Sequence, residues 1–149
     1  MSTPPVSPRT IVRDAILSVL ETRKDKSSVR VPAFNTSKKY LNAQETTKGN
    51  TYCVIVGDES PSARAMQSEK WDMEVKIVCY ANHHEDPHAI VDAMIEDAQD
   101  AMMMVRDQLR ADHLVRDITA VSITPDERTT EALPWGQAVR TWTVSHDRK

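Results

Sequence analysis

Apolar and polar positions change period several times along this chain, and each change marks an element. Residues 1–9 carry Pro4, Pro5 and Pro8 and read as an extended arm, because proline opposes regular helix. Residues 10–149 read as one domain. Thr10 is placed to cap a first helix from Ile11 to about Thr22, where Ile11, Ala15, Ile16, Val19 and Leu20 form one stripe at helical spacing. Arg23 to Asn50 then turns polar and basic and reads as a long loop or hairpin. Within it, Ser28 to Pro32 hints at a short edge strand, since Pro32 would damage a central ladder. Irregular segments of that length in a compact domain are usually functional.

Thr51 to Val56 (TYCVIV) is almost wholly apolar, the pattern of a strand covered on both faces. Gly57 to Lys70 reads as a second polar loop, with Ser60-Pro61 as its turn. From Trp71 to Ala81 the period becomes two. Trp71, Met73, Val75, Ile77 and Cys79 point one way, and Asp72, Glu74 and Lys76 the other. Asp86 then caps, and Pro87 opens, a long helix to about Arg110. Ile90, Met94, Ala98, Ala101, Met102, Val105 and Leu109 give it a continuous core stripe. At 1.5 Å per residue it is about 36 Å long, enough to cross a small sheet. Asp117–Thr124 and Gln137–His146 are the closing strands, with Ala138, Trp142 and Val144 on one face of the second. The order is helix, weak strand, strand, strand, long helix, strand, strand. It predicts an α+β fold: an antiparallel or mixed sheet of about four to five strands, with one long helix and one shorter N-terminal helix packed on it. Val75, Ile77, Met94, Ala98, Met102, Val105 and Trp142 should share one core.

Composition narrows the class. A hydrophobic fraction of 40% with 28% charged residues is that of a folded domain. A net charge of -3 provides no global basic field for nucleic acid. Cys53 and Cys79 both sit in apolar runs and read as buried free thiols, which fits a reducing cytoplasm. The N-terminus has no apolar segment of a signal peptide, and no run approaches the roughly 20 apolar residues of a membrane span.

Candidate chemistry is sparse. His84-Glu85-Asp86-Pro87-His88 matches H-E-x-x-H, which places two zinc-binding imidazoles on one helical turn. Proline at the fourth position disfavours helix before it, so the helix should start after His84 and Glu85 and separate the ligands. The serines at 27, 28, 60 and 62 have no nucleophile elbow around them, and Gly49, Gly57 and Gly136 form no phosphate-cradling loop. The reading is no catalytic residue, no cofactor and no metal site.

Charge is unevenly placed. Arg23 to Asn50 holds seven basic residues against two acidic, net +5, while Glu85 to Asp112 holds eight acidic against two basic, net -6. Asp92, Glu96 and Asp100 recur every four residues and form a ridge along the helix. Opposite charge on two segments of one chain suits a contact in which Arg30, Lys38 and Lys39 of one copy meet Asp92, Glu96 and Asp100 of another.

Over roughly Thr10 to His146 the chain resembles the tail terminator, or tail completion, proteins of long-tailed bacteriophages. The resemblance rests on the leading helix, the long polar segment before TYCVIV and the strand MEVKIVCYA with its acidic turn. The helix PHAIVDAMIEDAQDAMMMVRDQL and the closing strands DITAVSIT and QAVRTWTVSH complete it. The histidine-rich turn and the methionine-rich helix depart from it. The resemblance implies a virion protein, made in the host cytoplasm, that caps the tail tube as a ring, usually a hexamer. Its partners would be the tail tube protein and the head–neck connector proteins. DNA would have room to pass through the ring lumen, with no sequence-specific recognition and no membrane. The family has no catalytic residues to carry over. The alternatives are another head–tail connector or tail-tube subunit and, through His84 and His88, a small zinc metalloprotease.

Overall fold

A computed structural model describes residues 7–37, 49–64, 69–82, 86–126 and 135–148. Its elements run α1 (Pro8–Arg23), β1 (Asn35–Ser37), β2 (Thr51–Arg64), β3 (Glu69–Asn82), α2 (Pro87–Ala111), β4 (Asp117–Asp126) and β5 (Trp135–Arg148). The strands form one sheet in the order β1-β2-β3-β5-β4. β1 runs parallel to β2 and every other pair is antiparallel, so the fold is α+β with a mixed sheet.

Both helices lie on one face of the sheet. α2 crosses β3, β5 and β4, and α1 packs over β2 and against α2. The core between them holds Val75, Ile77, Met94, Ala98, Met102, Val105 and Trp142 together, as the two periodicities predict. Ile16, Val19 and Leu20 of α1 close it from the side. Cys53, Val78 and Tyr80 form a second buried cluster from the opposite parity of β2 and β3. That accounts for the unbroken apolar run TYCVIV, in which Tyr52 and Val54 enter the main core and Cys53 the other. Both cysteines are free and buried. Burial pushes the Cys53 thiol up to about 11, and burial, then the charge of Asp97, raises Cys79 as well.

β3 and β4 run one or two residues past their expected ends, and four larger differences from the sequence pattern have local reasons. α1 begins at Pro8, with Ser7 as N-cap accepting the Arg9 N–H at 3.2 Å. Proline is harmless in the first turn, where its missing N–H has no intrahelical partner anyway. Of the arm at 1–9, residues 1–6 lie outside the described residues. β2 continues past Val56 to Arg64 because β3 continues opposite it. The register shifts between Val56 and Glu59, and the extra residue reverses the side-chain alternation and hides the strand. Ser28 to Pro32 is not a strand; the edge strand is β1, three residues later in the chain. β5 extends to Trp135–Arg148, and Gly136 lets it approach the start of α2. A Cβ there would lie 3.1 Å from the Pro87 carbonyl oxygen and 3.1 Å from Val91 Cγ2.

Candidate subunit interface

The acidic face of α2 and the basic segment before β2 meet within a single chain. Asp97 lies on α2 one turn after Met94 and one before Ala101, on the inward side, and is only 2% exposed. Its carboxylate accepts the backbone N–H groups of Arg30 at 3.1 Å and Val31 at 2.9 Å. The Arg30 guanidinium bridges Asp97 and Asp100, at 3.1 Å each. The hydrogen bonds to Asp100, then to Asp97, raise the Arg30 pKa further above its ordinary value. Residues 24–34 are thus strapped across α2 although they form no regular element. Val29, Val31 and Phe34 are buried beneath the strap. Phe34 meets Tyr52 edge-on with ring centroids 4.9 Å apart, and the Tyr52 hydroxyl donates to the Met94 carbonyl at 3.2 Å. Lys24 lies 5.6 Å from the centre of the Phe34 ring. Asp25 takes a left-handed conformation (φ 62°), and its N–H closes the strap by donating to the Pro32 carbonyl at 3.0 Å.

The six residues singled out from charge therefore divide. Arg30 and Asp100 are joined to each other in the same chain. Asp92 and Glu96 are exposed on α2. Lys38 and Lys39 lie outside the described residues. The buried anchor, Asp97, was not among the six. Its position relative to Met94 and Ala101 was the available signal, because it falls inside the apolar stripe rather than on the ridge.

A second polar cluster ties α1 to the sheet. Arg9 donates to the Gly57 carbonyl at 2.6 Å and the Val56 carbonyl at 2.9 Å, where the β2 register shifts. Glu59 is nearly buried, lies 4.0 Å from Arg9 and contacts His146 Nε2 at 2.6 Å. His146 is buried on the same face of β5 as Trp142 and Val144, and its Nδ1 has no hydrogen-bond partner among the described residues. Sequence reading placed Glu59 in a loop and could not pair it with a residue 87 positions away. The inward parity of His146 was legible.

The helix at the zinc pattern begins at its proline, as expected. α2 starts at Pro87 with Asp86 as N-cap, accepting the Ala89 N–H at 3.0 Å. His88 is in the helix, where it is exposed; His84 and Glu85 lie outside the described residues. Among the described residues no group of three or more His, Cys, Asp or Glu could hold a metal ion. No described helix is long and apolar enough to cross a membrane.

No protein-family profile matches the sequence, and no curated protein matches it. Among solved structures, the chain is similar to the sheath/tube terminator, in the extended state, of an extracellular contractile injection system called PVC. The TM-score is 0.48 at 10% identity; the match covers 100% of this chain and 58% of that one.

Proposed function

We propose that this chain is a structural virion protein that assembles as a ring, a hexamer, on the end of a phage tail tube. There it ends tube polymerisation and forms the joint to the head–neck complex. The observation that carries the reading is the element order on which the family resemblance rests, a helix, a long polar segment, paired strands, a long helix and two closing strands, which is the order of the fold. The shape of the sheet suits a ring. Among the described residues β1 and β4 are the end strands and lie at opposite ends, so one copy presents two different surfaces. Cyclic assemblies join unlike surfaces head to tail.

In this reading the basic segment of one subunit meets an acidic surface of the next. With Arg30 and Asp100 joined in the same chain, Lys38 and Lys39 are left to face Asp92 and Glu96 of the neighbour. Charge sets register and encounter rate there, and apolar contacts supply most of the affinity. Exposed charges are screened over about 8 Å at physiological ionic strength, so assembly weakens as salt rises. The decisive test is electron microscopy of particles made without this protein. Overlong or headless tails support a terminator, whereas heads that leak DNA assign it to the head connector instead. Reversal of Asp92 and Glu96 to Lys tests the ridge. Normal rings from that variant would make the ridge a solvated face.

A further inference from the structure

The start of α1, the turn after α2 and the end of β5 meet around a cleft of about 150 Å³. Ile11 and Val12 of α1 and Leu114 just past α2 give it an apolar wall. The His146 ring forms part of the same wall and is only 1% exposed. His113 and Asp147, both exposed, stand at the rim. The helix C-terminus builds the turn that places Leu114. The Leu114 N–H donates to the Leu109 carbonyl at 2.9 Å, and the His113 N–H to the Arg110 carbonyl at 3.1 Å. His113 takes the left-handed conformation (φ 57°) that glycine usually supplies at this point of a helix end. The Asp147 carboxylate is engaged by Arg116 Nε at 2.7 Å.

We propose that this cleft binds a phenol, one aromatic ring bearing a hydroxyl, either free or as the side chain of a tyrosine. The inference does not depend on the ring reading above. Size selects the ring. An apolar cavity of about 150 Å³ holds a benzene-sized guest, whereas drug-sized ligands occupy about 300 Å³ or more. Polarity selects the hydroxyl. Glu59, as a carboxylate, can only accept, so its 2.6 Å contact puts a proton on His146 Nε2. The neutral imidazole then offers Nδ1 as an acceptor, and Nδ1 is buried with no hydrogen-bond partner among the described residues. A buried acceptor left without a donor is costly, and native structures keep few of them. The guest must therefore bring a donor. A buried water needs about two to four polar partners, and His146 is the one buried polar side chain among the described residues that line the cleft. A carboxylate or phosphate has no proton for Nδ1 and would bring its charge to the rim beside Asp147. An ammonium would bury its charge against Val12 and Leu114. A phenol meets both demands: its O–H donates one hydrogen bond, and its ring covers the apolar wall.

The test titrates the full chain with p-cresol and with toluene, the same ring without the hydroxyl, and follows the His146 ring nitrogens and the Leu114 methyl groups by NMR. p-Cresol should saturate, move the Nδ1 resonance more than the Nε2 resonance, and bind about tenfold more tightly than toluene, the worth of one buried hydrogen bond. Leu114→Trp alters an exposed side chain at the cleft, so it should melt like the parent and abolish binding of both compounds. His146→Phe should erase the advantage of p-cresol over toluene. Where that variant does not fold, the Nδ1 shift in the parent decides. N-acetyltyrosine amide separates the two sources. Affinity within a few-fold of p-cresol assigns the cleft to a tyrosine side chain of another chain, and binding of p-cresol alone assigns it to a free phenol. No saturation up to the solubility limit, p-cresol no tighter than toluene, or binding that survives Leu114→Trp would overturn the proposal and leave a hydrated crevice.

Discussion

Asp97→Ala tests whether one carboxylate holds the strap at 24–34. Asp97 accepts two backbone N–H groups, at 3.1 and 2.9 Å, from residues whose side chains flank a buried seam. A hydrogen bond to a charged acceptor contributes ~1.5–3 kcal/mol net, and a buried donor left without a partner costs its desolvation. Against this, removing the carboxylate relieves the cost of burying it, and the strap can open to water. The balance is a loss of about 3–4 kcal/mol. For a chain of this size each kcal/mol lowers Tm by about 2–4 °C, so the variant should melt roughly 10 °C below the parent. Arg30→Ala should cost far less: its guanidinium is half exposed, and the backbone N–H groups keep their acceptor. Urea melts of both variants, with amide exchange at Arg30 and Val31, decide it. If Asp97→Ala melts like Arg30→Ala, and both amides stay protected, the strap is held by Val29, Val31 and Phe34 and the electrostatic account is wrong.

Met102 is fully buried between α2 and the sheet, so Met102→Asp buries an unpaired charge and should cost more than ~4 kcal/mol by urea melting. Gly136→Ala forces a methyl group to 3.1 Å from the Pro87 carbonyl and should cost ~1–3 kcal/mol in the same assay. The unfolded Cys53 thiol ionises near 9.0 and the folded one near about 11. Its stabilisation is therefore complete below pH 9 and lost as pH rises through 11, and Cys53→Ala should flatten that part of the stability profile.

How much of this was legible depended on whether the side-chain period ran unbroken. β3 and α2 were read to within a residue or two because Met73, Val75, Ile77 and Cys79 hold period two, and Met94, Ala98, Met102 and Val105 the helical period. The second half of β2 was hidden by an extra residue near Gly57 and Asp58, which moves Glu59 to the inward face beside His146. With the alternation reversed, an acidic stretch with a proline looks like a turn. The start of α1 was hidden by a proline whose effect depends on its position: it breaks an interior and suits a first turn. The strap was read as loop because its three anchors, Val29, Val31 and Phe34, have no common period. Val31 and Phe34 join the main core through tertiary contacts, which composition alone cannot reveal.

The charge split between residues 23–50 and 85–112 was real in sequence, yet its simplest meaning was incomplete. A charge sum does not say whether opposite charges meet inside one chain or between two. Here Arg30, Asp97 and Asp100 meet inside, and the geometry explains why. The strap contacts α2 through Asp97 and Asp100 before residue 35 comes alongside β2, where the Asn35 N–H donates to the Asn50 carbonyl at 2.8 Å. A carboxylate at that contact fixes where the chain emerges at the β1 edge. The internal pairing neutralises part of the ridge and sets where β1 begins. In the proposed ring, Asp97→Ala should impair assembly at temperatures where the variant is still folded, whereas Arg30→Ala should leave it intact.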